Sequence, residues 1–169
     1  TSGEPAAMES FGALDASFVD ADGAPLQLAQ GVSATVRIAP SSRSAALPPT
    51  VPLFFYNTAT GLWVEEGSAS LQGTAPNQYY EGTVTHFTTW NADQIYNTVR
   101  VNGCVQNAAG QRVAGAVVAS EGKSYSGVGS AVTDAEGNFS VPAKRSSAAF
   151  VVASKNAELS NACLLYTSD

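Results

Sequence analysis

Residues 31–38 read GVSATVRI, and Val32, Ala34, Val36 and Ile38 fall at every second position. A period of two puts these four side chains on one face of an extended strand and the polar ones on the other. The same signature spreads outward from this stretch. Upstream, residues 13–19 (ALDASFV) alternate, Asp20-Ala21-Asp22-Gly23 reads as a turn, and residues 26–29 return. Downstream, a Ser/Ala/Pro-rich loop at 39–49 leads to a dense strand at 51–56 and the turn Asn57-Thr58-Ala59-Thr60-Gly61. Leu62-Trp63-Val64 returns from that turn, with a further strand at 69–72, and residues 78–89 (QYYEGTVTHFTT) favour β structure by residue type. In this half no apolar pattern of period 3.6 lasts beyond two turns.

A boundary is expected at 91–97 (NADQIYN), after which β patterning resumes at Val99. Strands are read at 113–120, 125–133, 138–141, 148–153 and 164–166, separated by Asn107-Ala108-Ala109-Gly110, Glu121-Gly122 and Asp134-Ala135-Glu136-Gly137. Short strands at roughly 8–12-residue spacing are the mark of a sandwich. The expected fold is therefore all-β, two tandem antiparallel β-sandwich domains. Residues 1–11 form an N-terminal arm, 12–95 the first sandwich and 96–169 the second. The arm is rich in small residues, carries Pro5 and has no clear period. Starting at Thr1 without a signal-peptide pattern, the chain reads as a mature form or an excised fragment.

Of the 169 residues, 44% are hydrophobic and 13% charged, so a core is within reach and charge-driven disorder is not. Eight Lys and Arg against 14 Asp and Glu leave a net charge of −6. A phosphate backbone needs a basic footprint, so nucleic acid is not an expected partner. No apolar run approaches the ~20 residues that span a bilayer as a helix. One His and two Cys are too few for an ordinary closed zinc site, and no cofactor or metal is expected. The polar residues are mostly Ser, Thr, Gly, Asn and Gln. That vocabulary is common in secreted β-proteins and leads to an expected place outside the cell or on its surface, with the periplasm as the alternative, in a bacterial source.

The second half resembles the carboxypeptidase regulatory-like domain, a transthyretin-like seven-stranded sandwich, over about residues 99–166. The carriers are Val101-Asn102-Gly103-Cys104-Val105, residues 109–118 (AGQRVAGAVV) and residues 133–142 (TDAEGNFSVP). The first half resembles, over about residues 12–93, the extracellular domain type of cartilage intermediate layer proteins, also present in bacterial surface proteins. It does so through residues 52–56 (PLFFY), 60–67 (TGLWVEEG) and 84–93 (VTHFTTWNAD). That last block is also similar to the closing strand of GAIN-type domains. The regulatory-like resemblance implies a rigid, non-catalytic accessory module. The GAIN-type ending implies self-cleavage at a His-hydrophobe-Ser/Thr tripeptide, here His86-Phe87-Thr88.

In that scheme the Thr88 hydroxyl attacks the Phe87 carbonyl, and His86 is the general base that takes its proton. The structural alternative is an edge or core polar residue in a β-strand, with its imidazole hydrogen-bonded. Trp63, Trp90, Tyr79 and Tyr80, with Phe54 and Phe55, are candidates for a sugar-stacking platform or, equally, for core filling. Because Tyr79 and Tyr80 are adjacent, only one points inward, and the other is the better surface anchor. Asp20-Ala21-Asp22-Gly23 opens like a calcium loop, but Gly31 stands where the twelfth-position Glu belongs, so a plain turn is expected. Cys104 and Cys163 bracket the second domain and are expected to form a disulfide, worth roughly 3–4 kcal/mol by loop closure. Two buried free thiols are the alternative.

These readings converge on a non-enzymatic extracellular structural module: a spacer, an adhesive unit or an assembly subunit. Its partners would be other protein chains, copies of itself included, met through strand edges and the N-terminal arm. The alternatives are an autoproteolytic domain cut between Phe87 and Thr88, and a carbohydrate-binding module using Tyr79 or Tyr80.

Overall fold

The computed structural model describes residues 7–168, which form fifteen strands and no helix. The all-β class is as expected: several antiparallel sheets in a partial barrel and sandwich arrangement, in two sheet groups. Contacts divide the chain into two compact units, Ser10–Gln94 and Ile95–Asp169, the latter including residues up to Glu9. Of the expected arm, residues 1–6 lie outside the described residues. From Ala7 the chain is already a strand.

The first unit contains β1 (Ala7–Asp15) from Ser10 onward, β2 (Phe18–Val19), β3 (Pro25–Leu26), β4 (Ala34–Ile38), β5 (Thr50–Asn57), β6 (Leu62–Gln72), β7 (Tyr79–Val84) and β8 (Thr89–Tyr96) as far as Gln94. Six of them make one sheet in the order β1-β8-β5-β6-β7-β4, while β2 and β3 form a separate hairpin. The sheet curls until its two outer strands meet. The Ser41 N–H donates to the Phe11 carbonyl (2.8 Å). At Gly12 (φ +152°) a Cβ would stand 2.5 Å from the Ala39 carbonyl oxygen, so only glycine allows the approach. Inside lies one core, built from Phe11, Ile38, Val51, Leu53, Tyr80 and Trp90. Pro52 sits in the central strand β5, where its missing N–H would break a ladder. The register against β6 shifts between Pro52 and Phe54, a bulge that absorbs the defect.

The second unit contains β9 (Thr98–Cys104), β10 (Val117–Gly122), β11 (Val128–Val132), β12 (Asn138–Lys144), β13 (Ala148–Lys155), β14 (Glu158–Leu159) and β15 (Cys163–Tyr166). β11, β10 and β13 run in order, with β14 and β15 both paired to β13, and β9 pairs β12 in a sheet of two. Val118, Val141 and Val151 are the buried centre between the two sheets. The buried Ser120 hydroxyl donates across that space to the Pro142 carbonyl, and the buried Thr133 hydroxyl donates to Val113 O while accepting from Ala116 N. Each buried hydroxyl thus finds a partner.

The expected disulfide is absent: Cys104 and Cys163 are both free and exposed. Cys104 ends β9, opposite Asn138 of β12, whereas Cys163 begins β15, opposite Val151 of β13. The two cysteines therefore belong to different sheets. Both line one open groove, yet their sulfurs remain unbonded.

Candidate functional site

Residues 85–88 join β7 to β8 in the first unit, and three groups fasten this turn. The His86 ring packs edge-on to Phe55 (4.6 Å) and lies 5.0 Å from Trp90, with Nε2 3.7 Å from Glu66 Oε2. The other Glu66 oxygen accepts from the Thr85 hydroxyl (2.7 Å). Gln27 grips the backbone of Phe87 twice: the Phe87 N–H donates to Gln27 Oε1 (2.7 Å), and Gln27 Nε2 donates to the Phe87 carbonyl (2.9 Å). The Phe87 ring rests 4.4 Å from that of Phe18.

The Thr88 hydroxyl donates to the Tyr56 carbonyl (3.5 Å), and the Thr88 carbonyl accepts from the Ala16 N–H (3.2 Å). The Gln27 amide thus stands on the oxygen that would become an oxyanion during cleavage. The nucleophile and the base, however, face other partners: Thr88 turns to Tyr56, and His86 to Glu66, Phe55 and Trp90. What these contacts build is a pinned turn.

The aromatic candidates separate. Trp90 and Tyr80 are fully buried in the core, with the Tyr80 hydroxyl donating to Pro48 O (2.9 Å) and its pKa raised by burial. Phe54 is buried as well. Tyr79 is half-buried beneath the Arg37 guanidinium, 5.0 Å from the ring centre. Trp63 is the exception among the tryptophans. It is half-buried and lies 5.3 Å from Tyr56, its direct partner across β5 and β6. Tyr56 was not among the sequence candidates. Counting outward from the turn at 57–61 pairs it with Trp63, and that count was the available signal.

A second feature lies along the seam of the barrel. Beyond the contact at Phe11, Gly12 and Ser41, β1 and β4 splay apart around a cavity of about 570 Å³, lined by Leu14, Ala34, Val36, Phe18 and Phe87. Phe18, Val19 and Leu26 of the β2–β3 hairpin are all well exposed (52, 62 and 46%).

Two buried ionic sites were not anticipated from sequence, one in each unit. Asp93 on β8 is 2% exposed, and its Oδ1 has no hydrogen-bond partner. Burial pushes its pKa up to about 6, against hydrogen bonds from Ser10 and Asn91 that pull it down. In the second unit the buried Glu9 carboxylate holds the Lys144 ammonium at 2.5 Å, with the rings of Tyr96 and Tyr125 within 5.5 Å of that nitrogen. The Tyr96 pKa is pushed up to about 12, chiefly by burial, with the charges of Tyr125 and Glu9 adding to it.

The loop with a calcium-like opening at Asp20 and the turn at Asp134 both use their carboxylates on backbone. Asp20 Oδ1 accepts from the N–H groups of Asp22 and Ala24, and Asp134 Oδ1 from those of Glu136 and Asn138. Among the described residues no three His, Cys, Asp or Glu side chains are grouped to hold a metal ion. Set against family models, curated proteins and solved structures, the chain shows no significant match, so the arrangement itself is the ground for reading function.

Proposed function

We propose that the chain is a non-enzymatic structural module, secreted or on the cell surface, that assembles through its β edges with other protein chains, copies of itself first among them. The seam carries this reading. β4 is hydrogen-bonded on one side only, to β7. The backbone groups of an edge strand that point away from its neighbour are a template for another extended chain. Beside that edge, Leu14, Ala34 and Val36 offer an apolar slot for alternate side chains. The exposed Phe18, Val19 and Leu26 extend the apolar surface beyond what scattered residues account for.

The net charge of −6 favours a protein partner over nucleic acid. The second unit is read as a regulatory-like sandwich acting as a rigid spacer. Its support is the strand-turn-strand over β11 and β12, closed by Asp134 and Gly137. With the disulfide gone, the extracellular placement rests on composition alone. Sedimentation equilibrium from about 1 µM to about 1 mM tests the assembly. Concentration-dependent association is expected, and Phe18→Ser with Val19→Lys should abolish it while leaving the melting temperature nearly unchanged. A chain that stays monomeric over the whole range overturns the reading.

A further inference from the structure

We propose that Tyr56 and Trp63 form a stacking platform for a neutral saccharide. The two residues are directly opposed on β5 and β6, and their ring planes meet at 60° with centres 5.3 Å apart. They lie on the face opposite to Phe55, which packs on the core, because neighbours along a strand alternate sides. Tyr56 is 37% exposed and Trp63 half-buried, while Phe11, Tyr80 and Trp90 are buried in the core and Phe54, on the same face as Tyr56, is covered. The pair therefore leaves part of two tilted aromatic rings open to solvent.

The ligand class follows from what surrounds it. The Tyr56 hydroxyl reaches to Gly61 in the hairpin turn, whose other members include Asn57, Thr58 and Thr60, and the Thr88 hydroxyl lies against the Tyr56 backbone. Aromatic surface beside a turn of hydroxyl- and amide-bearing residues suits a pyranose ring, which has C–H faces and hydroxyl edges. No Lys, Arg or His occurs between Thr50 and Gln72, and Glu65 and Glu66 follow Trp63 along β6. An anionic glycan would be repelled there, so the saccharide is neutral. A protein partner needs about 800 Å² on each side, whereas two part-buried aromatic side chains offer only a fraction of the roughly 150–250 Å² that each could bury in full. One or two sugar rings fit that area, and affinity near the millimolar range is expected.

The platform goes beyond the assembly reading, and its test leaves Phe18, Val19 and the seam untouched. The full chain is titrated with neutral chito-, cello- and manno-oligosaccharides, and with heparin as the anionic control. Readouts are tryptophan emission and saturation-transfer NMR. With Trp90 fully buried, a ligand-dependent emission change reports on Trp63. Saturable binding of at least one neutral series is expected. It should weaken at least about tenfold (about 1.4 kcal/mol) in Tyr56→Ala and in Trp63→Ala, with both variants retaining the emission of buried Trp90. Three outcomes overturn the proposal: no saturable binding across the neutral panel, binding that survives both substitutions, or binding of heparin alone.

Discussion

Asp93 keeps one carboxylate oxygen without a donor inside a strand whose other buried groups are satisfied. Burial raises its pKa from 3.8 to about 6, so the folded chain holds this proton more tightly than the unfolded one. The stabilisation is fully present below the unfolded pKa and is lost as pH rises through about 6. Urea midpoints should therefore fall between about pH 4 and about pH 7. Asp93→Asn should flatten that fall and raise stability at neutral pH by on the order of 2–3 kcal/mol. Identical pH profiles for the two proteins would remove Asp93 as the cause.

Ala157 makes a simpler case. It turns at φ +65° between Lys155 and Glu158, a left-handed conformation that costs a residue with a Cβ. Ala157→Gly should raise the urea midpoint, by about 0.5–1 kcal/mol in stability. Neither residue was legible beforehand. Pattern shows which way a side chain alternates, but burial of Asp93 and the turn geometry at Ala157 depend on what the fold brings together. The same limit applied at His86 and Thr88, two positions apart in sequence yet turned to different partners.

Within the turn at 85–88, the backbone of Phe87 is held from outside by the side chain of Gln27. Gln27→Ala removes both hydrogen bonds to Phe87 and should cost about 1 kcal/mol, since the bonds are exposed and water replaces them. The Phe87 amide should then exchange markedly faster by NMR, and an unchanged rate would mean that the grip is not formed in solution. Strands with clean alternation were readable: 31–38 contains β4, and 51–56 is the body of β5. β1 was not, because Ser10, Gly12 and Ala13 interrupt any period and the stretch looks like an arm. β6 was expected in two pieces, but it runs unbroken through Glu65, Glu66 and Gly67. Those residues sit in a strand whose outer side tolerates polar groups, so their composition imitated a loop.

For the whole molecule, order along the chain was easier to read than assignment to a sheet. Alternation and turn spacing sufficed for the all-β class, but nothing in the spacing of Cys104 and Cys163 revealed that β9 and β15 belong to different sheets. Both thiols should react with a thiol reagent in the native protein without prior reduction. No reactive thiol before reduction and two after it would overturn the free-thiol assignment. The seam carries a last consequence. The barrel wall is fastened where Phe11 meets Ser41 and is loose where Leu14 faces Val36. Thermal breathing should then proceed like a zip drawn from one end. On the seam side, protection from deuterium should be deepest near Ile38 and shallowest near Ala34, well below the temperature at which the molecule melts.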